Sequence, residues 1–319
     1  MSDSVCAVVV TYNRKNLLME CLEALQRQTR PIQGIYLIDN ASSDETPELL
    51  LEKNYITELP PQRLEEPWEK ELRIPNFTDG NYIKLHYVRM HRNSGGAGGF
   101  YEGVKRGYER GYDWLWLMDD DAEAKPDALE KLFIYKKEGL CLCPLIIGHD
   151  GKYQFYHHKI VNKIIMLDNP INNNIEKIKE ISKIDSNAFV GPLINRKIIG
   201  KVGFPIKEMF IWGDDLEYIY RISRSFKVYL IKESIMLHKD LNMGINKRLK
   251  ESQRWKLYYY FRNKIIFIKK FCPFNLLSYL FFLYRASRTA TSLILIDRDF
   301  KNAILPFKGI ISGLKIRVS

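Results

Sequence analysis

Three consecutive carboxylates, Asp119, Asp120 and Asp121, follow directly on the apolar run WLWLM. An apolar run bounded by charge fits a strand buried on both faces, as in a parallel sheet. Ligands of such sheets sit beyond the carboxyl ends of the strands, where these three side chains emerge. Like charges this close repel, and in a semi-enclosed crevice at least one tends to protonate unless a cation compensates. Hard oxygen ligands suit Mg2+ or Mn2+. A solvated acidic loop with a helix N-cap is the plainer alternative. His238 closes another apolar stretch, in IMLHKD. Two carboxylates and one imidazole leave positions open on a metal for diphosphate oxygens and water.

Three further clusters bear on the same chemistry. TYNR, residues 11–14, follows the first apolar run, so Thr11 and Arg14 are candidates to hold a nucleotide. Asp39 ends the second run and is a candidate acceptor for a ring N–H or a ribose hydroxyl. RNSGGAGGF, residues 92–100, has four glycines in five positions, which lets backbone approach a ligand and opens a helix whose N-terminus favours anions. It has neither the GK[ST] of a P-loop nor the G-x-G-x-x-G spacing. IWGDDLEY, residues 211–218, brings Asp214 and Asp215 to the start of a helix, where either is a candidate general base. N-capping and favourable first-turn charge explain the same acids without chemistry.

These clusters need a scaffold, and the first half of the chain supplies one. Apolar strand signals at residues 5–10, 34–38, 83–88 and 114–118 alternate with helical spacing at 17–28, 46–54 and 95–110. That order predicts a doubly wound, mostly parallel sheet with right-handed connections. Ser42 or Ser43 is the expected cap of the second helix. Residues 56–80 are rich in proline and charge without periodicity and read as a long loop. A helix to about Lys137 and a strand at 140–147 follow, while residues 148–186 are polar, Asn-rich and unassigned. Strand signals return at 188–194 and 228–237, and everything beyond Lys247 reads as helical, basic and aromatic.

The five cysteines are scattered and odd in number, which argues against a secreted disulfide framework; Cys141 and Cys143 read as strand residues. The N-terminus has no basic region before its short apolar run, so no signal peptide is expected. The stretch from Pro273 to Ile296 is interrupted by Arg285 and Arg288, so no transmembrane helix is expected either. Residues 247–319 carry 16 Lys/Arg against 3 Asp/Glu, a surplus of 13. With a net charge of +11 for the whole chain, the first 246 residues are left at −2, so the basic character belongs to the tail.

TYNR, IDNASSDET, RNSGGAGGF, the aspartate triplet, WGDDLE and a later histidine, in this order, resemble inverting family-two glycosyltransferases of the GT-A fold. The pattern is most similar to the bacterial galactofuranosyltransferase and rhamnosyltransferase branch and spans residues 4–240. The resemblance implies a GT-A catalytic domain over residues 1–246, with residues 247–319 as a basic helical appendage. It implies Asp119, Asp121 and His238 as ligands of Mn2+ or Mg2+, and Asp120 beside the ribose. Thr11, Arg14, Asp39 and Asn93 would hold the nucleoside diphosphate, and Asp215 would be the base, with Trp212 and Asp214 beside the sugars. The branch often carries Trp-Asp-Asp, whereas this chain reads Trp-Gly-Asp-Asp.

By that resemblance the expected reaction moves galactofuranose from UDP-galactofuranose to a glycan or lipid-linked glycan hydroxyl. dTDP-rhamnose is the alternative donor. A sugar nucleotidyltransferase would need a glycine- and lysine-bearing loop where TYNR stands, and a non-catalytic carbohydrate-binding protein would not need a base and a metal shell together. The tail has no nucleic-acid motif. Its basic and aromatic helices suit the cytoplasmic face of the membrane, so a cytoplasmic, peripherally membrane-associated protein is expected. Packing of these helices on the catalytic domain or on a second subunit is the alternative.

Overall fold

The computed structural model describes residues 3–239 and 249–316. Chain order begins β1 (Val5–Thr11), α1 (Lys15–Gln26), β2 (Gly34–Asp39), α2 (Thr46–Glu52), β3 (Trp68–Pro75) and β4 (Tyr82–Arg89). It continues with α3 (Gly95–Glu109), β5 (Trp114–Asp119), β6 (Ala122–Ala124), α4 (Ala128–Ile134) and β7 (Cys141–Gly148). Four short strands come next: β8 (His158–Asn162), β9 (Leu167–Pro170), β10 (Ile181–Ile184) and β11 (Ser186–Asn187). β12 (Val190–Asn195), α5 (Arg196–Val202), α6 (Asp214–Ser223) and β13 (Val228–His238) complete the sheet region. Helices α7 (Lys256–Phe271), α8 (Leu276–Leu295) and α9 (Leu305–Lys315) form the C-terminal region.

The central sheet is large and mostly parallel in its first half, in the order β10-β13-β7-β12-β5-β1-β2-β4-β3. β5, β1, β2 and β4 run parallel, and their register aligns Thr11 with Asp39, Asp39 with Arg89, and Val10 with Asp119. Every residue of β1 and β2 is buried, which is why both read as continuous apolar runs. The alternating order of strands and helices thus sets one row of polar side chains along one edge.

Helix α3 lies close on this sheet. A Cβ at Gly99, Gly103 or Gly107 would come within 2.6 Å of Val10, 2.3 Å of Val8 and 2.7 Å of Leu115. Two glycines of the RNSGGAGGF run therefore have distinct purposes: Gly99 admits the sheet, whereas Gly95 has φ of 72° and would strike the Phe210 carbonyl.

Two sequence expectations are corrected, and one unassigned stretch gains a structure. Residues 56–80 are not simply a loop, because β3 pairs along its whole length with β4. It is an edge strand, which tolerates charge and proline; Glu69 and Glu71 pair with Arg106 and Arg110 on α3 and its C-terminal cap. Neither Ser42 nor Ser43 caps α2; Glu45, at φ of 62°, holds that position, and Asp44 instead accepts from the Thr46 hydroxyl and the Lys15 amide. Residues 148–186 contain β8 and β9, which with β11 form a small second sheet.

The boundary expected at 246/247 lies outside the described residues. Beyond it, α7 is buried without a break from Phe261 to Ile268. Ile265, Phe267 and Ile268 pack with Leu216 and Tyr220 of α6 and with Val161 of β8. Helix α9 presses on α7 through Gly309 and Gly313, where a Cβ would meet the Tyr258 and Arg262 carbonyls at 2.3 and 2.7 Å. Helix α8 leaves Leu276, Leu277, Leu280, Leu283 and Tyr284 exposed. Among the described residues no helix is long and apolar enough to cross a membrane.

Candidate active site

The strand row provides one wall of a crevice. Thr11 Oγ1 donates to Asp120 Oδ2 at 2.7 Å, fixing the middle aspartate against β1. Arg14 lies over the triplet, paired with Asp120 Oδ1 at 3.2 Å and with Asp121. The repulsion expected among the aspartates is thus partly met by this guanidinium, which is held on carboxylates instead of standing free for a phosphate. Burial pushes Asp120 up to about 7 against the pull of Arg14. Burial, then the neighbouring charge of Asp121, raises Asp119 well above the usual carboxylate range; Asp120 and Asp214 add to the effect. Burial also opposes charge on Asp121, but His238 and Arg14 outweigh it and hold its carboxyl low.

His238 reaches the triplet through strand pairing. β6, one residue beyond Asp121, runs antiparallel to β13 and sets Ala122 opposite His238. The Lys239 amide then donates to the Asp121 carbonyl at 2.9 Å. His238 Nδ1 contacts Gln154 Oε1 at 2.8 Å, and Gln154 also contacts His157 Nε2 at 3.1 Å. A Gln oxygen can only accept, so Nδ1 carries a proton, and the ring turns its Nε2 toward Asp121 Oδ1, 3.5 Å away. That oxygen is buried and has no hydrogen-bond partner. An imidazole nitrogen and a carboxylate oxygen facing each other are both suited to a shared cation. Among the described residues no three His, Cys, Asp or Glu side chains form a ready-made metal cluster. Asp119 ends β5 with its carboxylate half-buried.

Asp39 is wholly buried and already engaged: Tyr87 donates at 2.8 Å, Arg89 at 2.5 Å, and the Ser42 amide at 2.9 Å. Its neighbour Asn40, which the motif reading passed over, ties the strand row to the glycine turn. Asn40 Nδ2 donates to the Gly95 carbonyl at 2.8 Å, and its Oδ1 accepts from the Ser94 amide at 2.9 Å. Asn93 is exposed at the mouth of this turn, with Oδ1 accepting from the Gly95 amide at 2.8 Å. Gly96 meets nothing within 4 Å of where a Cβ would stand, so α3 starts with open space above its backbone.

The opposite wall is a loop and a helix start. Asp214 and Asp215 occupy the first turn of α6, and the preceding cap is Gly213 at φ of 97° without any side-chain cap. Asp214 is 7% exposed, and burial followed by the adjacent Asp215 pushes it up to about 8. Asp215 is half-buried; burial raises it while Lys159 opposes the rise. Lys159 of β8 and Lys264 of α7 both pair with Asp168 of β9. None of these three was singled out in the sequence, since they lie in the unassigned polar stretch and in the basic tail. Trp212 sits beside Asp214 at φ of 61°, with the Lys256 ammonium 5.4 Å from its ring centre.

The model of the family described as Glycosyl transferase family 2 matches residues 6–58 and 70–201. The galactofuranosyltransferase GlfT1 of Mycobacterium tuberculosis is 25% identical over 228 residues, 70% of this chain and 66% of that protein, so the match spans just under two thirds of the relative. GlfT1 of Mycolicibacterium smegmatis is 24% identical over 230 residues, 70% of this chain and 67% of that protein. Among solved structures, S. aureus TarS 1–349 superposes with a TM-score of 0.56 at 12% identity, covering 98% of this chain and 81% of that one. GalNAc-T7, solved with UDP, GalNAc and Mn2+, gives 0.59 at 17% identity, covering 98% and 56%. These likenesses establish the GT-A type of fold.

Proposed function

The chain belongs to glycosyl transferase family 2, and on that premise we propose that it transfers galactofuranose from UDP-galactofuranose to a glycan hydroxyl with inversion at the anomeric carbon. One observation carries the reading: the loop that leads into Asp214 and Asp215 is bonded to the glycine turn beside the strand-end acids, the Phe210 carbonyl accepting from the Ala97 amide at 3.1 Å. The choice of sugar follows the relatives named for galactofuranosyl transfer.

Asp119, Asp121 and His238 would hold a divalent cation, for which the unpartnered Asp121 Oδ1 and the facing His238 Nε2 are a fitting donor set. Such a cation, Mn2+ or Mg2+, neutralises charge on a diphosphate. GalNAc-T7 is a family neighbour in fold whose structure includes Mn2+. The chain's own residues do the rest. The backbone amides at the start of α3 face the same negative charge, with Asn93 at the entrance and Thr11 and Asp120 beside the nucleotide. Arg14, paired with Asp120 and Asp121, would also lie within the site to meet the diphosphate. Trp212 and Asp214 flank the sugars. Asp215 takes the proton of the acceptor hydroxyl as that oxygen attacks the anomeric carbon; the bond to the diphosphate breaks, UDP leaves, and this one displacement inverts the centre.

A panel of UDP-galactofuranose, UDP-galactose, UDP-GlcNAc and dTDP-rhamnose, each with Mn2+ and with chelator, tests this reading. UDP-galactofuranose is expected to turn over with Mn2+ alone. Exclusive use of dTDP-rhamnose would replace the donor, and failure of every nucleotide sugar would overturn the activity.

The same reading gives α8 a place. Its exposed leucines and the positive charge of the C-terminal region suit an anionic membrane surface carrying a lipid-linked acceptor. Because α7 is part of the core, the test uses the full chain: Leu277→Glu/Leu280→Glu should lose flotation with phosphatidylglycerol vesicles, and unchanged flotation would remove α8 from the surface.

A further inference from the structure

We infer that Asn263, on helix α7, is a positioning residue for the base, holding the loop that delivers Asp215. The inference rests on Asp215 being that base. Residues 206–213 connect the core to α6 through conformations that side chains rarely adopt. Phe210, Trp212 and Gly213 have φ of 63°, 61° and 97°. Backbone of this kind persists only when its surroundings determine it.

The surroundings are α7 and α3. Asn263 Nδ2 donates to the carbonyls of Met209 at 2.9 Å, Ile211 at 3.0 Å and Trp212 at 2.6 Å. Arg262 Nη2 donates to the carbonyls of Glu208 at 2.7 Å and Met209 at 2.8 Å, and Arg262 Nε orients Asn263 through its Oδ1 at 3.0 Å. Both side chains are buried, at 9% and 2% exposure. The Phe210 carbonyl points the other way and accepts from the Ala97 amide in the first turn of α3 at 3.1 Å. The Phe210 ring stacks on Tyr259 of α7, centre to centre 4.9 Å.

The two hydrogens of one amide are thus shared among three carbonyls, those of Met209, Ile211 and Trp212, on a loop that ends two residues before Asp215. Gly213 is called for by its φ of 97°, while a Cβ there would stand in ordinary contact with Asn263 Cβ at 3.4 Å. An Asn serving only to hold two helices together would have no need to address the loop three times. The helix that composition assigned to an appendage thus reaches the reacting centre through this side chain.

The test uses the full chain with Asn263→Ala, and Asn263→Ser should the first fail to fold. The five tryptophans, replaced by 5-fluorotryptophan, give a 19F readout that needs no acceptor. The Trp212 resonance is expected to shift or broaden, while Trp68, Trp114 and Trp116 hold theirs. With UDP-galactofuranose, Mn2+ and octyl β-galactofuranoside as acceptor probe, kcat should fall about 100-fold, while the affinity for UDP changes by less than about threefold. In an Asp215→Asn background the same substitution should cost no further activity, because the group it positions is gone. An unmoved Trp212 signal, or losses that multiply in the double variant, would overturn the inference. If Asp215→Asn alone turns over like the parent, the base assignment fails, and the Trp212 signal still decides whether Asn263 holds the loop.

Discussion

Thr11, Asp39 and Asp119 stand at the ends of three adjacent parallel strands, whereas Asp214 and Asp215 begin a helix at the end of a loop that no strand supports. The first wall is held by ladder register, so its side chains are placed wherever the strands stop. The second is held by side chains from distant elements: Asn263 and Arg262 from α7, and the first turn of α3. The family match has the same asymmetry, ending at residue 201, before either the acidic pair or His238. A wall fixed by backbone pairing can vary in sequence and keep its geometry. A wall fixed by a few amide contacts depends on those few residues.

The largest effect should come from the first wall. Asp121→Ala removes a group shared by Arg14 and His238 and is expected to lower transfer by at least about 10⁴-fold, with loss of Mn2+-dependent UDP binding by calorimetry. Full activity of that variant in chelator would end the case for a cation there. Asp215→Asn probes the second wall: turnover should drop between about 10² and 10⁴-fold with UDP affinity kept, since the amide preserves shape but cannot take the proton. Burial raises Asp215, so the acid limb of the parent's kcat profile should lie above the ordinary carboxylate pKa of about 4.

A smaller effect is expected at Gln154, which orients His238 from the second-sheet side. Gln154→Ala should weaken Mn2+ binding by about 10–100-fold with kcat at saturating metal little changed; equal loss in both would make it a structural residue. The smallest concerns Asp214. Its carboxyl is pushed up to about 8 by burial and by Asp215, so the folded chain favours the neutral form. The parent therefore has this stability in full below the ordinary carboxylate range and loses it as pH rises toward 8. Asp214→Asn should consequently melt higher than the parent at pH 8, by at least about 2–4 °C, and no higher at pH 4. A difference independent of pH would assign the effect to packing.

Much of the first wall was legible because a buried parallel strand leaves a continuous apolar word, and the residue after it is the residue at the sheet edge. The order TYNR, Asp39, the glycine run and the triplet followed directly. What escaped was what lies between strands. Asn40 was overshadowed by Asp39, although Asn40 joins β2 to α3 while Asp39 is spent on Tyr87 and Arg89. β3 was hidden because an edge strand with one solvated face carries the charges of a loop. Lys159, Asp168 and Lys264 had no local signal, since their meeting depends on β8 pairing with β9 and on α7 lying across both.

The long reach from α7 to the base loop also bears on the order in which the site comes into being. Chains emerge from the ribosome N-terminus first, and domains fold as their parts appear. β1 finds β5 only after about a hundred intervening residues, so even the first wall assembles late for its position. The second wall waits longer, because Arg262 and Asn263, and the α9 glycines that press on α7, lie near the end of the chain. On the proposed reading, the side chains that hold the loop before Asp215 are therefore made only after β13, the last strand of the sheet, is complete.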